Sequence, residues 1–546
     1  MATSRSDRRP SSSLRKDGTA RPPFKRVLIA NRGEIAVRLI RACRELDMEA
    51  VAVFSDADAS AAHVRLADHA VRLGPATPAE SYLRMDRIID AALEAGCEAV
   101  HPGYGFLAER ASFARAVEDA GLAFVGPTAT SIDALGDKLH ARRLARDVGV
   151  ESVPGTLDPA PVERPDQVAT IVGEAERIGF PLLVKAAAGG GGRGMRRVTT
   201  ALELPAALAS GSREAASAFG DGSVYLEREI RPARHVEVQL LGDASGRVVT
   251  LGERDCSLQR RHQKLVEEAP APGLTTAQRC CVHELAVRLG TAAGLRNAAT
   301  AEFLLTTDGT FYFLEVNTRL QVEHGVTELV SGVDIVREQF LLAAGRNLSP
   351  SALVAAERAA EPAGHAIEVR ISAEDPAREF APAPGRIRRW SMPSGPGVRV
   401  DTAVGAGDRV PPDYDNLIAK VMVHAGNREL AIDRLRRALD EVEVAGIQTT
   451  LPFHRFVARD ATFRAAELST GWVAEHWDGA ASFRRAAAMA QRAAGLAAIG
   501  AGRDRALPGA QAGWATKAGP AEVGGAGRDG RWGRAGLDEA VDRWPR

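Results

Sequence analysis

Ala301-Glu302-Phe303-Leu304-Leu305-Thr306-Thr307-Asp308-Gly309-Thr310-Phe311-Tyr312-Phe313-Leu314-Glu315-Val316-Asn317 reads as two strands around Asp308-Gly309. Asp-Gly between apolar runs is a strong two-residue hairpin signal. With that loop, Thr307 faces Thr310 and, counting outward, Glu302 faces Glu315. Directly opposed carboxylates about 5 Å apart at Cβ repel unless something sits between them. A divalent cation is the natural occupant, and hard carboxylate oxygens suit magnesium, bound alongside phosphates and water. The same strand continues with Glu315, Asn317, Arg319, Gln321 and Glu323 alternating with Val316, Thr318, Leu320 and Val322. An extended chain puts all five polar groups on one face. A solvated outer strand would show the same alternation, but the opposed glutamates favour a polar catalytic floor.

A second phosphate-directed feature lies upstream. The run Lys185-Ala186-Ala187-Ala188-Gly189-Gly190-Gly191-Gly192-Arg193-Gly194-Met195 follows the apolar strand Pro181 to Val184. Free glycine amides can fold around phosphate oxygens. A plain linker is the alternative, though it needs neither the lysine nor the arginine. Gly194 is followed by Met195-Arg196, which excludes a Walker A loop. Gly103-Tyr104-Gly105-Phe106-Leu107-Ala108 fits a dinucleotide fingerprint, yet the next strand ends in Gly126-Pro127 with no acidic residue for a ribose. Those glycines are read as allowing a tight turn and close backbone approach.

Around these motifs the chain is 546 residues long, with 70 basic against 70 acidic side chains and 45% hydrophobic residues. That balance gives no reason to expect nucleic-acid binding or polybasic membrane attraction. No apolar run is long enough to span a bilayer. Five cysteines without paired spacing suit neither a disulfide scaffold nor a zinc site, and point to a reducing cytoplasm. Residues 1–23 read as a disordered leader, with a transit peptide as the alternative. From Phe24, short apolar runs alternate with helical patterns, which implies a parallel sheet covered by helices through 127. Residues 128–364 read as α+β, with a lid over about 157–230. A Pro/Ala/Glu-rich stretch ending at Gly364 marks a boundary before a third unit, 365–478. Ala, Gly and Arg supply 41 of the 66 residues from Ala481 onward, so 479–546 reads as a tail without a packed core.

Taken together with Ala30-Asn31-Arg32-Gly33-Glu34-Ile35-Ala36, His101-Pro102-Gly103-Tyr104-Gly105-Phe106-Leu107, the block Glu253 to Lys264, Glu267-Glu268-Ala269-Pro270-Ala271-Pro272, Asn317 to His324 and Glu368-Val369-Arg370-Ile371, the sequence resembles biotin carboxylases from about Phe24 to Trp477. The resemblance implies α/β and α+β architecture: a Rossmann-like N-terminal domain, an ATP-grasp domain with a glycine-rich lid, and a C-terminal biotin carboxylase domain. It further implies that Lys138, Lys185 and the lid glycines Gly190, Gly191 and Gly192 meet ATP phosphates. Glu227 and the backbone near Ile230 would read the adenine, with His235, Gln259 and His262 on the nucleotide side. Glu302, Glu315 and Asn317 would hold magnesium or manganese. Lys264, Arg319, Gln321 and the Val322 backbone would bind bicarbonate, Glu323 would remove its proton, and Arg370 with Tyr104 would meet biotin.

The implied reaction is ATP- and bicarbonate-dependent carboxylation of biotin through carboxyphosphate, in an acetyl-, propionyl- or acyl-CoA carboxylase. No methionine is followed by lysine, so biotin is expected on a separate biotin carboxyl carrier protein, with a carboxyltransferase subunit completing the pathway. A homodimer is implied by the family alone. Another ATP-grasp ligase would share the lysines and glutamates but gives no reason for the Arg370 motif. A non-catalytic nucleotide-binding regulator gives none for the acid, base and phosphate groups. Gly325 stands where the family pattern usually has proline, so the loop behind Glu323 is expected to be more mobile.

Overall fold

The computed structural model describes residues 22–160, 165–187, 195–485, 488–489 and 491–492. The leader up to residue 21, the lid glycines Gly190, Gly191 and Gly192, and the tail from 493 lie outside the described residues.

The first unit is a parallel five-stranded sheet: β1 (Arg26–Ile29), β2 (Glu49–Ser55), β3 (His69–Gly74), β4 (Ala99–His101) and β5 (Ala123–Phe124), in the order β3-β2-β1-β4-β5. Its inner strands β1 and β2 are apolar on both faces because helices cover both, while the edge strand β3 is largely exposed. Val27 and Ile29 pack with Ile35 and Leu39 of helix Gly33–Glu45, while Leu28 packs with Ile88 and Phe113 on the other side. Strand order reverses between β1 and β4, the position where open α/β sheets place their ligands. There Asn31 Nδ2 donates to the carbonyls of Pro102 and Tyr104 at 2.7 Å each. Gly103 has φ +62°, and a Cβ on it would stand 3.0 Å from Asn31 Nδ2, so the fingerprint-like glycines serve the turn that presents Tyr104.

A small antiparallel sheet of β6 (Leu182–Ala186), β7 (Arg196–Val198) and β8 (Val224–Arg228), flanked by helices Pro165–Ile178 and Leu204–Phe219, follows. The main sheet has eight antiparallel strands. It comprises β9 (Ala233–Gly242), β10 (Val248–Arg260), β11 (Gln263–Ala269), β12 (Asn297–Thr306), β13 (Phe311–Asn317) and β14 (His365–Ser372), with the strands Val398–Thr402 and Leu417–Ala425. Their order is β13-β12-β9-β10-β11-β14, then Leu417–Ala425, then Val398–Thr402. The sheet therefore runs unbroken through the stretch before His365, because β14 pairs with β11.

The β12–β13 hairpin corrects the two-residue loop. Leu305 pairs with Phe311, and the Thr306 amide donates to the Thr310 carbonyl, leaving Thr307-Asp308-Gly309 as a three-residue loop with Gly309 at φ +88°. Asp308 stabilises it by accepting from the Thr310 amide. A bulge between the Phe303–Phe313 and Glu302–Glu315 pairs then restores the expected partners, so Glu302 does face Glu315. Among the described residues no helix is long and apolar enough to cross a membrane.

Candidate active site

The site floor is a row of side chains across four neighbouring strands. Glu315 on β13 faces Glu302 on β12, Glu302 faces Glu237 on β9, and Glu237 faces Arg254 on β10. Three in-register carboxylates would repel one another, and cations interleave with them. Lys264 Nζ, from β11, lies 2.5 Å from Glu237, 2.8 Å from Glu302 and 2.8 Å from Glu323, which matches its three donors to three carboxylates. Arg254 lies beneath, wholly buried, donating to Glu237 at 2.6 Å and to Gln239 and Thr327 at 2.9 Å. Lys138 reaches Glu315 at 3.1 Å. Burial raises the Glu315 carboxyl, but Lys138 and the more distant Lys185 and Lys264 bring it down to about 2. His235 stands 3.2 Å from Glu302. Burial would discharge that imidazole, yet the Glu302 charge lifts it to about 9.

The polar face beyond β13 is not one extended strand. β13 ends at Asn317, the chain turns, and helix His324–Ser331 begins with Glu323 as its N-cap. The turn still gathers the expected groups. Arg319 donates to Asn317 Oδ1 at 3.0 Å and to Gln321 Oε1 at 2.8 Å, and approaches Glu109 at 3.2 Å. Asn317 Nδ2 and Gln321 Nε2 both donate to Glu302, at 2.8 and 3.2 Å. Glu323 is wholly buried and bridges Lys264 to Arg370, whose Nη2 is 2.9 Å away. Burial raises the Glu323 carboxyl, but Lys264, Arg370 and Arg254 hold it below its ordinary value, so it is charged at neutral pH. Arg370 on β14 also grips Glu267 on β11 at 2.6 Å. Burial lifts Glu267 to about 7 against the pull of Arg370.

Glu227 on β8 is buried between Arg142, at 2.8 Å, and Lys185. Ile230 is half-buried just past that strand, Gln259 is the cross-strand partner of Lys264, and exposed His262 occupies the tight β10–β11 turn. Tyr104 donates to Glu34.

Gly325 corrects the expectation of a mobile loop. It lies in the first turn of helix His324–Ser331, fully enclosed, where a Cβ would stand 2.2 Å from Met422 Sδ. Sequence reasoning also missed Glu237, Arg254, Arg142, Glu267, Glu34 and Lys420. For Glu237 a signal existed: His235, Glu237 and Gln239 alternate with Val236, Val238 and Leu240, the same period-two pattern that marked β13. Arg142 and Lys420 lie on elements whose local pattern gives no such sign.

A doubly wound sheet joined to an antiparallel sheet with a small lid sheet, floored by paired glutamates and lysines, defines a nucleotide-dependent ligase of the ATP-grasp kind. Family models for "Biotin carboxylase, N-terminal domain", "Carbamoyl-phosphate synthase L chain, ATP binding domain" and "Biotin carboxylase C-terminal domain" match residues 23–132, 137–351 and 368–475. A biotin carboxylase from Pseudomonas aeruginosa is 48% identical over 81% of this chain and 96% of its own length. A pyruvate carboxylase component from Methanothermobacter thermautotrophicus is 47% identical over 83% and 90%. The biotin carboxylase domain dimer of Hydrogenobacter thermophilus 2-oxoglutarate carboxylase, solved with MgADP, ADP and bicarbonate, has a TM-score of 0.79 at 45% identity, covering 83% of this chain and 98% of that one. The chain belongs to the biotin carboxylase family, enzymes that serve as ATP-dependent ligase components of biotin-dependent carboxylases.

Proposed function

We propose that the protein carboxylates biotin held on a separate carrier protein, using Mg-ATP and bicarbonate. The observation that carries this reading is the bridge at Glu323, with Lys264 and the glutamate row on one side and Arg370 on the other. One buried carboxylate thus joins the phosphate side to the biotin side. Bicarbonate would bind against Lys264, Arg319, Gln321 and the Val322 amide, and Glu323 would accept its proton. The resulting oxygen attacks the γ-phosphorus as the bond to ADP breaks, giving carboxyphosphate. Lys138 and Lys185 offset charge on the phosphates, while Glu227, Ile230, His235, Gln259 and His262 seat the nucleotide. Glu302, Glu315 and Asn317 fit a hard divalent cation, since the opposed carboxylates already draw Lys138, Lys264 and His235 to themselves to offset their charge. Magnesium bound there would supply charge that offsets the developing phosphoryl oxyanions. Carboxyphosphate then releases carbon dioxide and phosphate, and the phosphate takes the ureido proton. Arg370 would leave Glu323 to hold the ureido oxyanion, with Tyr104 alongside, until the nitrogen attacks carbon dioxide.

We take the final acceptor to be an acyl-CoA. An acyl-coenzyme A carboxylase α3 subunit from Mycobacterium leprae, 49% identical over 83% of this chain, supports that choice. Pyruvate and 2-oxoglutarate carboxylase components stand at 47% and 45%. A cytoplasmic homodimer working with a carboxyltransferase partner, each chain divided at about residues 127 and 364, completes the proposal. The test is phosphate release from Mg-ATP with and without bicarbonate and free biotin, using Lys264→Ala as control. Release that needs bicarbonate and rises with biotin is expected; release indifferent to both refutes the reading.

A further inference from the structure

Lys420 takes no part in the chemistry above, yet its side chain is wholly buried on the strand Leu417–Ala425. Its ammonium donates to the Val322 carbonyl at 2.8 Å. It also stands 3.4 Å from Glu34 Oε1 and 3.7 Å from Asp401 Oδ2. Burial acts to discharge it, but the carboxylates of Glu34, Glu368 and Asp401 outweigh that and the repulsion of Arg399, so it stays charged. Glu34 opens helix Gly33–Glu45, and the same Oε1 accepts the Tyr104 hydroxyl. The Val322 carbonyl belongs to the peptide that carries Glu323. Four positions remote in sequence are therefore linked at one ammonium: 34 and 322 directly, 104 through 34, and 420 itself. Holding that many charges away from water is costly, which calls for a return beyond packing.

Building on the proposed function, we propose that Lys420 is a positioning residue that ties the Tyr104 hydroxyl, through Glu34, to the Val322–Glu323 peptide. The plane of that peptide fixes the Glu323 Cα, and with it the side chain that accepts the bicarbonate proton, and across the Val322 Cα it constrains the preceding peptide, whose Val322 N–H receives bicarbonate. A ureido group drawing the Tyr104 hydroxyl off Glu34 leaves Glu34 wholly to Lys420 and shifts the hold on Val322. Occupancy of the biotin side is thereby transmitted to the bicarbonate side without contact between the two substrates.

The experiment measures bicarbonate-dependent phosphate release from Mg-ATP, with and without free biotin, in the full chain. Lys420→Met should raise the bicarbonate KM about tenfold or more, since a buried charge-assisted hydrogen bond is lost, with the Mg-ATP KM within about twofold. Tyr104→Phe keeps the ring and removes the hydroxyl, and should raise the bicarbonate KM even without biotin. Adding Tyr104→Phe to Glu34→Gln should change that KM no further. An unmoved bicarbonate KM in both Lys420→Met and Tyr104→Phe, with only kcat or thermal midpoint lowered, overturns the proposal. Should Lys420→Met fail to fold, the Tyr104–Glu34 pair decides: non-additive effects support the tie, additive or absent ones overturn it. A wild type without bicarbonate dependence overturns the proposed function and this inference with it. Bicarbonate-dependent turnover with unmoved KM values overturns this inference alone.

Discussion

Substituting Gly325 tests the packing behind Glu323. A Cβ at this position would stand 2.2 Å from Met422 Sδ and 3.5 Å from both Met422 Cε and Glu368 Oε2. Met422 is itself wholly buried on the strand Leu417–Ala425, so the thioether must be displaced into a filled core. Overpacking of this kind costs about 1–3 kcal/mol. Proline brings the same Cβ, and a first-turn position otherwise tolerates it. Gly325→Pro should therefore lower stability by about 1–3 kcal/mol instead of stiffening a loop. Met422→Val alone removes the clashing sulfur at a cost of about 1 kcal/mol in lost apolar burial. Combined, the two should be less destabilising than their sum by about 1–2 kcal/mol, because they act on the same few cubic ångströms. Urea unfolding of the four proteins, read from midpoints at constant slope, measures the coupling. Strict additivity would refute the argument, as would a Gly325→Pro variant as stable as wild type.

Lys264→Ala leaves three buried carboxylates without their shared ammonium. It should lower stability by about 3–5 kcal/mol and turnover at least about a hundredfold, measured by urea unfolding and phosphate release. The His235 imidazole, raised from 6.5 to about 9, contributes stability to the nucleotide-free protein that is fully present below pH 6.5 and lost as pH rises through 9. His235→Asn should flatten that limb of the stability profile, and an unchanged slope contradicts the assignment. Glu302→Gln should raise the magnesium concentration for half-maximal turnover about tenfold, read by titrating magnesium at fixed ATP. Arg370→Lys keeps the charge but loses the two-pronged grip. It should abolish most stimulation by biotin while moving the bicarbonate KM less.

The hairpin shows how the site can be read from sequence for partly wrong reasons. A two-residue loop predicts the glutamate pairing, and the structure reaches it with a three-residue loop and a compensating bulge. Bulges leave no local mark in a sequence, whereas the need to bring Glu302 and Glu315 together is visible in their spacing. The polar alternation beyond Asn317 picks out side chains that the structure does bring together but assigns them a strand, because period two survives a turn that folds side chains back onto one cluster. Gly325 misleads because its reason lies nearly a hundred residues away, in Met422. Lys420 and Arg142 are illegible for the same cause: the partners that give them meaning are tertiary.

Because β14 and the strand Leu417–Ala425 continue the sheet begun by β9 to β13, Arg370 and Lys264 stand on adjacent strands of one hydrogen-bonded fabric. Chimeras made by exchanging everything after residue 364 would have to reknit the β11–β14 seam residue for residue, including the Glu267–Glu368 pair. The small β6–β8 sheet is stitched to the same fabric by a shorter thread, the segment 151–156, where Gly155 bridges Glu227 of β8 and Ser152 bridges Phe313 of β13, so a protein engineer exchanging that sheet would have to carry the segment with it.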